Sequence, residues 1–251
     1  MKQLVVLSGK GGTGKTSVAA SLSHLASQEA SVVMADADVD ASNLELLLAP
    51  TKMAEHAFVS GKLAFIDQEV CIACGRCAEV CRFDAVLNEE EVYRIDPVSC
   101  EGCAACFYEC PVDAIVMRDR ESGQWFQSRT RFGMLFHAHL YAGQENSGKL
   151  VTMVKQQANL WGAEHDADYV IIDGPPGIGC PVIAACAGAQ MALLVVEPTV
   201  SGVHDLERIL ATTEHFRVPA AVLVNKFDIN PERTEGVAAF CAANDVPLVG
   251  K

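Results

Sequence analysis

The chain has 251 residues, 50% of them hydrophobic and 20% charged, enough apolar material for a buried core and too much for a disordered chain. A net charge of −13 argues against a surface that coats nucleic acid or an anionic membrane, because neutralising phosphates needs clustered Lys and Arg. No apolar run approaches the ~20 residues of a membrane-spanning helix, and the N-terminus enters a glycine loop without the longer apolar stretch of a secretion signal. The expectation is a cytoplasmic protein with no membrane anchor and no nucleic-acid partner. Eleven cysteines in a reducing compartment point to metal ligation rather than disulfides.

The chain opens with an apolar β-type run, Gln3–Leu7, and a helix over Thr16–Ser27 with Val18, Leu22 and Leu25 on one face. A second short strand, Ser31–Ala35, follows, so the opening reads βαβ. Between strand and helix lies Gly9-Lys10-Gly11-Gly12-Thr13-Gly14-Lys15-Thr16, then Ser17, which matches G-x-x-x-x-G-K-[ST]. Glycines let successive N–H groups curl around phosphate oxygens, and the helix N-terminus adds partial positive charge. Lys15 is then the ligand of the β- and γ-phosphates, and the Thr16 hydroxyl a ligand of Mg²⁺. Asp36, Asp38 and Asp40 follow the second strand, and spacing alone does not choose among them.

The βα alternation then stops. Between 63 and 120 the sequence CIACGRCAEVCRFDAV recurs as CEGCAACFYECPVDAIV, an internal repeat that marks an inserted module. Cys71, Cys74, Cys77 and Cys81 have the spacing C-x₂-C-x₂-C-x₃-C, and Cys100, Cys103, Cys106 and Cys110 repeat it before Pro111. This is the two-cluster bacterial ferredoxin spacing, in which the fourth cysteine ligates the other cluster. One [4Fe–4S] cluster is therefore assigned to Cys71, Cys74, Cys77 and Cys110, the second to Cys100, Cys103, Cys106 and Cys81. Zinc is the rival, but its sites use paired CxxC without a third cysteine in step. Arg82 stands where a proline usually follows the fourth cysteine.

The alternation resumes over 121–251. Helices are predicted at Lys149–Glu164, Val203–Phe216 and Pro231–Asn244, and strands at Tyr169–Asp173, Met191–Val196, Ala220–Asn225 and Pro247–Val249. A last strand without a helix after it suggests a truncated C-terminus. Asp173 ends its strand in IIDGPPGIG, as an aspartate that fixes Mg²⁺ would. His137 and His139 alternate along a strand and read as a polar face rather than a metal pair. Lys149 reads as a solvated turn residue, Trp125 and Trp161 as packing. Three cysteines lie outside the module: Cys186 and Cys241 in apolar surroundings, and Cys180 in the loop after Asp173.

KGGTGKT, with its second lysine Lys10, resembles the deviant Walker A motif of the MinD/ParA/Mrp superfamily, which includes the nitrogenase iron protein. DADVDASNL, DGPPGIG and Glu197-Pro-Thr199 extend the likeness, and the cysteine module makes the chain similar to superfamily ATPases with an inserted ferredoxin domain. The resemblance implies a three-layer α/β P-loop fold with a mainly parallel sheet, in two parts, 1–62 and 121–251, around a small α+β ferredoxin-like insert, 63–120. It implies Mg-ATP, hydrolysis and a nucleotide-dependent homodimer. Lys10 would reach the partner's phosphates, Asp38 would position the attacking water, Asp173 would head the second switch loop, and Asn225 would contact the base. Cys180 sits at the offset of a cluster-ligating cysteine of the nitrogenase iron protein, though no second matching cysteine is present. Asn225-Lys226-Phe227-Asp228 is similar to the guanine-reading N-K-x-D of GTPases, so GTP stays open beside ATP. The functional classes are nucleotide-gated electron transfer to a redox partner, delivery of clusters to an acceptor protein, and a positioning ATPase with structural or sensory clusters.

Overall fold

Short apolar runs bounded by glycine, proline and aspartate form most strands of a nine-stranded sheet in a computed structural model that describes Met1–Lys251. In chain order the elements are β1 (Lys2–Ser8), α1 (Lys15–Ser27), β2 (Val32–Asp36), α2 (Leu44–Leu48), β3 (Thr51–Ile66), α3 (Arg76–Glu79), β4 (Val86–Glu89), β5 (Val92–Ile95), α4 (Ala105–Glu109), β6 (Ile115–Arg129) and β7 (Met134–Leu140). They continue with α5 (Ser147–Glu164), β8 (Tyr169–Pro176), α6 (Cys180–Cys186), β9 (Met191–Val196), α7 (Gly202–His215), β10 (Ala220–Val224), α8 (Pro231–Ala243) and β11 (Leu248–Gly250). The chain divides into two compact units: Met1–His56 with Gln124–Leu140 and Asn146–Lys251, and Ala57–Gly123 with Tyr141–Glu145.

The sheet order is β11-β10-β9-β1-β8-β2-β7-β6-β3, and every pairing from β11 to β7 is parallel. Parallel strands covered on both faces read as unbroken apolar runs. Val170–Ile172 and Ala192–Val196 are such runs, and all are buried. Pairing of β2 with β8 sets Asp36 beside Asp173 at the carboxyl ends of the strands. This edge is where open α/β sheets bind ligands.

Helix α1 differs from its sequence reading. Its buried positions are Lys15, Ala19 and Ser23, whereas Leu25 is 60% exposed. Small residues one turn apart bring the helix close to the sheet, where Ala19 packs on Val6 and Val195. Helix α5 begins at Ser147, so Lys149 lies in its first turn rather than in a loop. Strands β3 and β6 are the largest departure. They run 16 and 15 residues, and the second unit begins at Ala57 and closes at Gly123, wider than the cysteine repeat. Their charged residues and glycines hide the alternation that buries Phe58, Ser60, Ala64 and Ile66. Trp125 stacks on His56 and Trp161 on His165. No helix is long and apolar enough to cross a membrane.

Candidate functional site

The loop after β1 turns sharply twice, at Gly12 (φ 80°) and Gly14 (φ 87°), a region that side-chain-bearing residues rarely adopt. A Cβ on Gly14 would sit 2.2 Å from the Asn225 amide nitrogen, so glycine is required for space as well. Helix α1 then starts at Lys15 with no side-chain cap, which leaves its first N–H groups for a ligand. A cavity of about 440 Å³ opens there, lined by Gly11–Ser17 together with Asp38, Asn43 and Pro176.

Lys15 is buried at 6% exposure, with Nζ 3.0 Å from Asp173 Oδ1 and 3.8 Å from Asp38 Oδ2. Asp173 is fully buried, and its Oδ2 has no hydrogen-bonding partner. The Thr16 hydroxyl approaches the same carboxylate. Burial raises the Asp173 pKa above the usual carboxylate range, and the Lys15 ammonium opposes the rise. A buried carboxylate oxygen without a donor, beside a threonine hydroxyl at a phosphate loop, fits a hard oxygen-seeking cation such as Mg²⁺.

The three aspartates after β2 separate cleanly. Asp36 turns inward and accepts hydrogen bonds from the Ser42 hydroxyl and the N–H groups of Leu44 and Asp38. Burial and then Asp173 push its carboxyl up to about 7. It shapes the loop, Asp40 is exposed, and Asp38 faces the cavity. Burial raises the Asp38 pKa, and Lys15 opposes that rise.

Lys10 and Gly9 do not line this cavity. Lys10 Nζ lies 2.7 Å from Glu197 Oε1 and donates to Thr199 Oγ1 (2.9 Å) and Ser201 Oγ (3.2 Å). Its bond to Glu197 is the first cause of that carboxylate's lowered pKa. Lys226 joins the cluster, 2.9 Å from Glu197 Oε2, and donates to the Gly12 carbonyl at 2.8 Å. Asn225 donates to the Thr13 carbonyl at 2.8 Å, so both residues brace the phosphate loop, while Asp228 is exposed. Glu197 had only a motif to recommend it in the sequence; its position between two lysines is a tertiary fact.

In the second unit the eight module cysteines form two separate groups. One small cavity is lined by Cys71, Cys74, Cys77 and Cys110, and another by Cys81, Cys100, Cys103 and Cys106. All eleven cysteines are free thiols. The repeat extends to the backbone: Ala73, Gly75 and Asp84 have positive φ, as do their counterparts Gly102, Ala104 and Asp113. Ala85 N–H donates to Cys81 Sγ at 3.4 Å, and Ala114 N–H to Cys110 Sγ at 3.2 Å. Burial raises the pKa of Cys77 and of its counterpart Cys106 by disfavouring the charged thiolate. Four cysteines lining each cavity, with an N–H group aimed at one sulfur in each, suit a thiolate-bound metal cluster. Arg82 is exposed, whereas Arg120, silent in the sequence, donates to the carbonyls of Pro97 and Cys100.

Of the other cysteines, Cys186 and Cys241 are buried, and burial pushes the Cys186 thiol up to about 11. Cys180 is exposed at the first position of α6. At the other end of α6 the buried Lys155 donates to the carbonyls of Ala184, Ala185 and Ala187 at 2.6–2.8 Å, tying that end down.

The model of the CobQ/CobB/MinD/ParA nucleotide binding domain matches residues 4–251. An uncharacterized protein of Methanocaldococcus jannaschii is 37% identical over 91% of this chain and 79% of its own length. The protein named Ferredoxin 7Fe of Hydrogenibacillus schlegelii is 38% identical over 65 residues, 25% of this chain and 83% of the ferredoxin. Among solved structures, the septum site-determining protein MinD complexed with Mg-ADP, from Pyrococcus horikoshii, superposes with a TM-score of 0.56 at 18% identity, covering 98% of this chain and 79% of that one.

Proposed function

Because the chain belongs to the CobQ/CobB/MinD/ParA family of nucleotide-binding domains, we propose that it hydrolyses Mg-ATP and couples this to electron transfer through iron–sulfur clusters. The observation that carries the proposal is the coexistence, in one chain, of the phosphate-loop cavity around Lys15 and two four-cysteine cradles.

Lys15 and the N–H groups of Gly11–Ser17 hold the triphosphate, and the loop braced by Asn225 and Lys226 keeps its shape. Thr16 and Asp173 are the residues that would hold Mg²⁺, which neutralises charge on the β- and γ-phosphates. Asp38, the one member of its aspartate trio aimed into the cavity, orients the attacking water. Lys10 is held by Glu197 of its own chain; in a nucleotide-bound dimer it swings to a second copy's phosphates, where a cation stabilises developing charge. Cys71, Cys74, Cys77 and Cys110 form one ligand set, and Cys81, Cys100, Cys103 and Cys106 the other. Two [4Fe–4S] clusters held there would supply one-electron transfer. ATP is favoured over GTP by the deviant phosphate loop. The setting is the cytoplasm, and the redox partner is a protein.

The deciding experiment is anaerobic. Iron and acid-labile sulfide should each come to about eight per chain. The EPR spectrum of the dithionite-reduced protein should change on adding Mg-ATP. Stoichiometric zinc in place of iron, or a spectrum indifferent to nucleotide, would remove the coupling.

A further inference from the structure

His137 and His139 share one face of β7, as their spacing in a strand dictates. Helix α2 brings Glu45 onto that face, a meeting no local sequence signal announces. His137 is 3% exposed, and its Nε2 lies 3.0 Å from the buried Ser128 hydroxyl. Its Nδ1 lies 3.0 Å from Glu45 Oε2 but outside hydrogen-bond geometry, so this buried nitrogen has no hydrogen-bonding partner. His139 Nε2 stands 3.2 Å from Glu45 Oε1. One donor atom from each residue lies within 4.8 Å of the others.

A neutral histidine beside a carboxylate would ordinarily settle into a straight N–H···O bond. Here the ring nitrogen is close and misaligned, as it is when two donors converge on a common point. Bonds of about 2.0–2.2 Å in tetrahedral geometry place two donors about 3.3–3.6 Å apart, within a few tenths of an ångström of the 3.0 and 3.2 Å seen here. Two imidazoles and one carboxylate are a zinc-type donor set. Ser128 fixes the orientation of the His137 ring from behind, as outer partners of metal-bound histidines do. Phe126 packs against both rings, with centroids 5.0 and 5.4 Å away. The Lys52 ammonium, near the same face, is engaged by Glu55. The His139 side chain is 42% exposed, which leaves a path for an ion and room for a water as a further ligand.

We propose that Glu45, His137 and His139 form a binding site for a divalent transition-metal ion of the zinc class, using none of the cysteines. The neighbours of Glu45 give the site a consequence. Asn43, Leu46 and Leu47 line the phosphate-loop cavity, and Leu44 is hydrogen-bonded to Asp36. An ion at this triad ties one wall of the nucleotide cavity to β7.

The test uses the cluster-replete chain, prepared without oxygen and dialysed against micromolar zinc chloride. Wild type should retain about one more zinc ion per chain than His139→Ala or Glu45→Gln. Both variants keep all eleven cysteines, so any zinc held by thiols cancels. Both altered side chains are partly exposed, and a thermal melt checks that the variants fold. Equal zinc in all three proteins overturns the proposal. Anomalous diffraction at the zinc edge from wild-type crystals gives an answer without variants: a peak within bonding distance of His137 Nδ1 supports the site, and its absence refutes it.

Discussion

The two units are stabilised in different ways. The nucleotide unit rests on parallel strands whose side chains are buried on both faces, among them Val5, Ile172 and Leu194. The cysteine unit has a small core of Ala64, Ile66, Ala85, Cys100 and Ile115, and half of what packs around it is further cysteine. So small a core, with cysteines for half of its surround, has little apolar surface to bury, and the expectation is that it leans on what the thiols hold, whereas the first unit's core is apolar throughout. Both place positive-φ residues where backbone N–H groups must face a ligand or a sulfur.

The largest expected effect follows directly. Anaerobic chelation of iron should abolish hydrogen-exchange protection through Ala57–Gly123 while Mg-nucleotide binding survives. Protection unchanged after iron loss would break the comparison. Lys15→Ala removes the buried ammonium between Asp173 and Asp38 and should weaken Mg-ATP binding by about 100-fold or more in equilibrium titration, with iron content unaltered. Lys155→Met strands three carbonyls around α6 and should cost about 2–4 kcal/mol in urea unfolding of the first unit.

A smaller effect is set by pH. In the nucleotide-free protein the Asp36 carboxyl is held up at about 7 by burial and Asp173. The folded state keeps a proton that the unfolded chain releases near the ordinary value of 3.8. Its contribution is complete below about pH 4 and lost as pH rises through about 7. Melting temperature should fall between about pH 4 and pH 7, and Asp36→Asn should flatten that slope. The smallest change is in the cysteine unit. Ala104 sits at φ 64°, where its counterpart in the other repeat is Gly75. Ala104→Gly should stabilise that loop by about 1 kcal/mol, read as slower loss of cluster absorbance on heating.

Much of the site was legible because its determinants are local. A phosphate loop needs consecutive N–H groups, so its glycines and lysine must be neighbours in sequence. Three of the four sulfurs in each cradle come from one C-x₂-C-x₂-C run for the same reason. Helix α8 is another local case, with Asn230 accepting from Arg233 N–H ahead of Pro231.

What the sequence determined by itself was the nucleotide loop, the doubled cysteine repeat and the alternation of apolar runs, since each is written within a few residues. The tertiary structure decided which aspartate lines the phosphate-loop cavity, where Lys10 rests, and that Glu45 meets two histidines more than ninety positions away. It also decided that Leu25 lies in water and Lys155 does not. The reason is that burial and charge pairing depend on which strands become neighbours, and sheet order is a property of the whole chain rather than of any stretch of it.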